Sequence, residues 1–209
     1  MRVLLLSAYA AHSHRHWCSA LQSMLPDWDW QLLEMPPRHF SWRMRGNPLH
    51  FGVTEAELLR GDYDLVCATS MVDLATLRGL VPALAQKPAV LYFHENQFAY
   101  PQSGAGHSLL EAQMVSLYSA LAADQLLFNS RYNRDSFVAG VDALLGRLPD
   151  FVPEGLAAAL RDKAEVLPVP LAAAPEPVRP AFWPHRDGRA PGDTLRIVWA
   201  ARMEHDKGG

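Results

Sequence analysis

The chain has 209 residues, 49% of them apolar and 20% charged, with a formal net charge of −3. That is the balance of an ordinary soluble globular protein, long enough to bury a core without disulfide or metal staples. It excludes the globally basic field of a small nucleic-acid binder.

Val3–Ser7 reads as a first strand, followed by the small and polar stretch Ala8–His16. The apolar run at its start is too short for a signal-peptide core, and no segment is long enough to span a bilayer. A cytoplasmic protein with no membrane partner is therefore expected. Leu21 and Leu25 suggest a helix leading to a second strand near Trp30–Met35. Leu65–Thr69 is a continuous apolar run, followed by a helical stretch through Leu74, Leu77 and Leu80. Ala89–Phe93 is a strand of the same kind. Over His107–Asp124, Leu110, Met114, Leu117 and Leu121 recur at the helical period and predict one buried face. Gln125–Phe128 is a short strand, after which Asn129 or Ser130 caps a helix beginning near Tyr132. Ala164–Val169 is the last strand of the unit. Cys18 and Cys67 lie in apolar surroundings at no metal or redox spacing and read as buried free thiols.

Short, nearly continuous apolar strands alternating with helices mean a parallel sheet covered on both faces. The expected fold is a Rossmann-like, doubly wound α/β domain over residues 1–171. Its ligand edge is formed by the loops leaving the carboxyl ends of the strands: Ser7–His16, Thr69–Asp73, His94–Pro101 and Asn129–Arg134. Residues 172–194 carry Pro175, Pro177, Pro180, Pro184 and Pro191 and read as an extended linker. Leu195–Ala200 is a fresh strand pattern, so residues 195–209 are expected to begin a second α/β domain that is cut short.

His94, Glu95, Asn96 and Gln97 leave a buried strand for the ligand crevice. A histidine beside a carboxylate and two amides suits hydrogen bonding to a polyhydroxylated ligand, with His94 able to act as acid or base near neutral pH. A polar loop that only caps its strand and the next helix is the competing reading. His12, His14 and His16 alternate with Ser13 and Arg15, and in an extended conformation the imidazoles would share one face. No carboxylate accompanies them nearby, and a period of two is not a common zinc spacing, so no metal is expected. A hydrogen-bonding or phosphate-contacting loop through Ser13 and His14 is set against a plain surface loop. Ala8, Ala10 and Ala11 stand where a dinucleotide fold places glycines, which argues against an oxidoreductase.

From Met35 to Thr54 there is no Asp or Glu, while Arg38, Arg43 and Arg45 interleave with Phe40 and Trp42. Arginines pair with phosphates and exposed aromatics stack on unpaired bases; aromatic core anchors with solvated arginines are the alternative. Asn129, Ser130, Arg131 and Asn133 open a helix and offer either an anion site or ordinary capping. Arg202 and Lys207, followed by a glycine pair, are spaced to grip a diphosphate.

The segments Met35–Pro48, Ala68–Leu74 (which contains Ser70), Leu91–Pro101 and Leu127–Ser136 together resemble the tRNA-queuosine α-mannosyltransferase family, a branch of the GT-B, family-4-type retaining glycosyltransferases. The resemblance covers residues 2–171 and resumes at Trp199–Gly208. It implies two Rossmann-like domains facing a cleft, the acceptor mainly on the N-terminal side and a GDP-mannose donor mainly on the C-terminal side. It further implies mannose transfer to queuosine in tRNA, tRNA-Asp being the expected acceptor, with retention, no metal or other cofactor and no obligate protein partner. His94, with Glu95 and Asn96, takes the position of the family's catalytic site, and Ser13, His14, Ser70 and Gln97 that of its substrate contacts. Arg38, Trp42, Arg43, Arg45, Asn129, Arg131 and Asn133 are further expected substrate contacts, and Arg202 and Lys207 the cations that neutralise the departing diphosphate. A GT-B enzyme for a small-molecule or glycan acceptor, and a tRNA- or nucleotide-binding module without catalysis, remain open. With most donor contacts expected beyond Gly209, the 209-residue chain should fold but not turn over.

Overall fold

A computed structural model describes residues 1–99 and 109–171. The expected linker, the strand at 195–200, and Arg202 and Lys207 lie outside these residues, as do the end of the loop begun by His94 and the start of the helix expected from His107. The compact unit Met1–Pro170 is described by itself.

Strands and helices alternate along the chain: β1 (Arg2–Ser7), α1 (His12–Met24), β2 (Asp29–Glu34), α2 (Phe40–Leu49) with a π-helical turn (His50–Thr54), α3 (Ala56–Leu59), β3 (Leu65–Thr69), α4 (Leu74–Leu80), α5 (Pro82–Ala85), β4 (Ala89–Phe93), α6 (Leu109–Ala122), β5 (Gln125–Phe128), α7 (Arg131–Leu145), α8 (Leu156–Asp162) and β6 (Ala164–Val166). The strands form one parallel sheet in the order β2-β1-β3-β4-β5-β6. The order reverses between β1 and β3, the switch point at which an open α/β sheet leaves a crevice beyond its carboxyl ends.

Strand side chains alternate between two apolar layers. Leu4, Leu6, Ala68, Leu91, Phe93, Leu126 and Phe128 fill one. Val3, Leu5, Cys67 and Tyr92 meet Trp17 and Cys18 of α1 in the other. Because both faces are covered, the strands read as unbroken apolar runs. Both cysteines are buried and free, and burial pushes each thiol up to about 12.

Two expectations change, a third holds in part, and one segment gains a structure. The stretch Ala8–His16 is not a single loop, because α1 begins at His12. The last strand ends at Val166 and not at Val169. The segment after β2 is a helix, with Arg43, Asn47 and Pro48 buried in it. On α6 the expected stripe is buried only in part: Leu117 is buried and Met114 packs against the core, but Leu110 is 53% and Leu121 42% exposed, and Gln113, Ser116, Ser119 and Ala120 are buried as well. The turn that follows β3 decides this, because its buried backbone groups need partners. Ser119 Oγ accepts from Leu74 N and donates to the Val72 carbonyl, both at 3.0 Å.

Asn47 serves the same turn from the other side. Its amide nitrogen reaches the carbonyls of Arg43, Met44 and Met71 at 2.7, 3.0 and 3.1 Å, and its oxygen accepts from Asp73 N at 3.1 Å. Asp73 in turn caps α4 by accepting from Thr76 N. Asn47→Ala strands buried donors and acceptors on both elements and should cost about 2–4 kcal/mol in urea unfolding; a loss below about 1 kcal/mol would show that the turn holds without it.

Candidate active site at the carboxyl edge of the sheet

Beyond β1 the chain turns through buried Ala8 and Ala10, the latter donating its N–H to the Met35 carbonyl at 2.9 Å. Ala11 is the N-cap of α1 and supplies no side-chain cap. An α-helix turns about 100° per residue, so side chains two apart point to nearly opposite sides. His12, His14 and His16 therefore do not share a face, which corrects the extended reading. His12, Ser13 and His16 are exposed, while His14 is turned inward and 2% exposed. His14 Nδ1 donates to the Tyr9 carbonyl, and Nε2 faces Glu95 Oε2 at 3.6 Å. Burial opposes its charge, but the Glu95 carboxylate and the Tyr9 carbonyl outweigh burial, and the pKa rises above its ordinary value.

His94 leaves β4 directly against this histidine, with the ring centroids 4.1 Å apart. Trp17 and Tyr92 close around it, their centroids 5.2 and 4.9 Å from its own. Burial, and then the neighbouring His14 charge, push the His94 pKa down to about 2. The expectation of an acid or base near neutral pH is replaced by a neutral imidazole with one donor and one acceptor. Among the described residues its Nε2 is buried without a partner, as are Ser7 Oγ and Thr69 Oγ1 at the ends of β1 and β3. These positions share the strand parity of Leu5, Cys67 and Tyr92, so all three groups face the α1 side of the sheet. Ser7 and Thr69 escaped the motif reading; the signal for them is a hydroxyl terminating an otherwise apolar strand.

The amides beside His94 are engaged internally. Asn96 is 4% exposed. Its nitrogen donates to Asn133 Oδ1 at 2.7 Å and contacts the Asn133 carbonyl and Ser136 Oγ at 3.0 and 3.1 Å. Its oxygen accepts from Phe98 N and Ala99 N at 3.0 Å. Asn133 donates to the Phe93 carbonyl and to Asn129 Oδ1, and Asn129 donates to the His94 carbonyl at 2.6 Å. Gln97 is buried and its carbonyl accepts from Gln113 Nε2 at 3.3 Å. Ser130 caps α7 by accepting from Asn133 N. Asn96, Asn129 and Asn133 thus tie the loop after β4 to the start of α7, with exposed Arg131 beside them. Ser70 is buried in the loop after β3, its N–H on the Tyr92 carbonyl.

The acid-free stretch is not free of acids in space. Arg45 pairs with Asp73 at 2.8 Å and Glu111 at 3.1 Å. Arg43 is buried, its Nε donating to the Pro36 carbonyl at 3.1 Å. Arg38 is exposed and makes no ion pair among the described residues. Among those residues there is no group of three or more His, Cys, Asp or Glu placed to hold a metal, and no helix long and apolar enough to cross a membrane.

Fold and site define a Rossmann-like parallel α/β domain with Ser7, His14, Thr69 and His94 gathered at the carboxyl edge of its sheet. Residues 2–171 match the model of the tRNA-queuosine alpha-mannosyltransferase N-terminal family. The chain is also 31% identical over 215 residues to a tRNA-queuosine alpha-mannosyltransferase of Drosophila melanogaster, an alignment covering 98% of this chain and 54% of that protein. It belongs to the tRNA-queuosine alpha-mannosyltransferase family. The chain spans about half the length of that relative.

The two histidines set opposite pH limbs of stability. His94, at 6.5 when unfolded and near 2 when folded, costs stability as pH falls below about 6.5. The slope is about 1.4 kcal/mol per pH unit. His14, raised by folding, contributes fully below 6.5 and loses its contribution as pH rises through its folded pKa. Urea midpoints of His94→Phe should therefore fall less between pH 6.5 and 5 than those of the wild type. An equal fall in both would refute the neutral imidazole.

Proposed function

We propose that the chain is the acceptor-side half of a cytoplasmic enzyme that transfers mannose from GDP-mannose to a hydroxyl of the queuosine cyclopentenediol in tRNA, with retention at the anomeric carbon and tRNA-Asp as acceptor. Family membership supports the reaction class. The observation that carries the site is His94, held neutral at the carboxyl edge of the sheet with a buried ring nitrogen that has no partner among the described residues. A neutral imidazole in a dry setting offers a sugar hydroxyl a fixed hydrogen bond without competing charge.

His14 and Glu95 hold the ring from one side, and Asn96, Asn129 and Asn133 hold its backbone from the other. In this reading His94 touches the substrate and the three asparagines are positioning residues. Arg202 and Lys207 neutralise the diphosphate as it leaves, which makes a metal unnecessary. In this reading Arg38 carries the phosphate contact expected of the basic segment, and Ser13 and Arg131, both exposed, are further polar contacts.

With full-length protein, labelled GDP-mannose should mark queuosine-containing tRNA and leave the same tRNA without queuosine unmarked. His94→Ala should lower kcat about 100-fold, the scale for removing one preorganised hydrogen-bonding group. Equal labelling of both tRNAs would overturn the acceptor, and wild-type turnover by His94→Ala would overturn the site.

A further inference from the structure

On α2, Trp42 and Gly46 are one helical turn apart and therefore share a face. A Cβ on Gly46 would lie 2.6 Å from Trp42 Cε2 and 2.8 Å from both Cδ2 and Cζ2. Near-equal distances to three atoms of the fused ring mean that the indole rests on the glycine by its face and not its edge. Trp42 is nevertheless 55% exposed. One face of the ring is seated on bare helix backbone, and much of the remainder is open to solvent.

The same indole lines a cavity of about 480 Å³ with Arg38, Arg43 and His50. The acid at its edge, Glu34, is paired with Arg15 at 3.3 Å. The cavity thus sets an exposed indole beside the exposed guanidinium of Arg38, while Arg43 is buried on the Pro36 carbonyl. That chemistry suits a planar base carrying a phosphate, and the volume suits a nucleotide and not a folded segment. An acidic peptide would use the cations but leave the exposed indole without purpose.

Position decides which nucleotide is meant. The cavity opens beyond β2, whereas His94 follows β4, three strands away across the sheet. At about 4.8 Å per strand that is at least roughly 14 Å along the sheet, and α2 packs on the face opposite His94, too far for one nucleotide to occupy both. We propose that the face of Trp42, seated on Gly46 beside the exposed Arg38, stacks an unpaired nucleotide of the acceptor RNA near the nucleotide being modified. This rests on the reading of the substrate as tRNA.

The experiment measures the Kd of full-length protein for a short, unmodified single-stranded oligoribonucleotide, in wild type and in Trp42→Ala, Trp42→Phe and Gly46→Ala, with melting curves to verify folding. Base–aromatic stacking sets the expected scale, about tenfold weaker binding for Trp42→Ala. Trp42→Phe should retain most of the affinity, and Gly46→Ala, which lifts the indole from its seat, should lose part of it. Wild-type affinity in a folded Trp42→Ala protein overturns the platform, as does competition by an acidic peptide that is equally sensitive to Trp42→Ala. Because the oligoribonucleotide lacks queuosine, this result stands apart from the labelling test. Failed mannose transfer with a Trp42-dependent Kd rejects the acceptor reading alone, and normal transfer with a Trp42-independent Kd rejects the platform alone.

Discussion

The hydrogen bonds from Asn96 to the first turn of α7 are the constraint on which the edge of the sheet depends. Through them the start of the loop that leaves β4 is held without stranding its own backbone, since Asn96 also accepts from Phe98 N and Ala99 N. Asn129 and Asn133 extend the lattice to the carbonyls of Phe93 and His94. Side-chain amides suit the task because each offers donors and an acceptor and carries no charge to desolvate. Gly140 completes it by leaving room for Phe98, whose Cβ lies only 2.3 Å from where a Cβ on that glycine would stand. His94 is therefore positioned by its neighbours on both sides.

Much of the fold was legible. The spans Leu65–Thr69, Ala89–Phe93 and Gln125–Phe128 coincide with β3, β4 and β5, because a strand covered on both faces must be apolar at every position. Ser130 was readable as a cap from its place between an apolar strand and a helical run. The start of α1 was hidden because Ala11 is not a capping residue type, so nothing separates the helix from the turn before it. The buried face of α6 was legible only in part: Leu117 lies in it as expected, but Ser119 and Gln113 lie in it too because they serve the polar backbone of neighbouring loops.

The site was legible as a set of residue types and not as a set of roles. An amide meant for a ligand and an amide meant for a loop look alike until their partners are known, and here the partners of Asn96, Asn129 and Asn133 are one another. The same holds for charge. Arg45 stands in a stretch without acids, yet Asp73 and Glu111 reach it from elements far along the chain. The protonation of the two adjacent histidines is likewise three-dimensional, since Glu95 and Tyr9 favour the charge on His14 while burial and that charge deny it to His94.

The second apolar layer has a chemical consequence. Cys18 and Cys67 sit in it beneath α1 with Trp17 and Tyr92, and burial raises both thiols to about 12. At neutral pH the reactive thiolate of each is then of order one molecule in a hundred thousand, so alkylating agents and peroxides find almost no nucleophile while the helix stays in place. Sulfur chemistry in this protein thus becomes a clock for the lifting of α1, the same movement that would uncover His94 and His14.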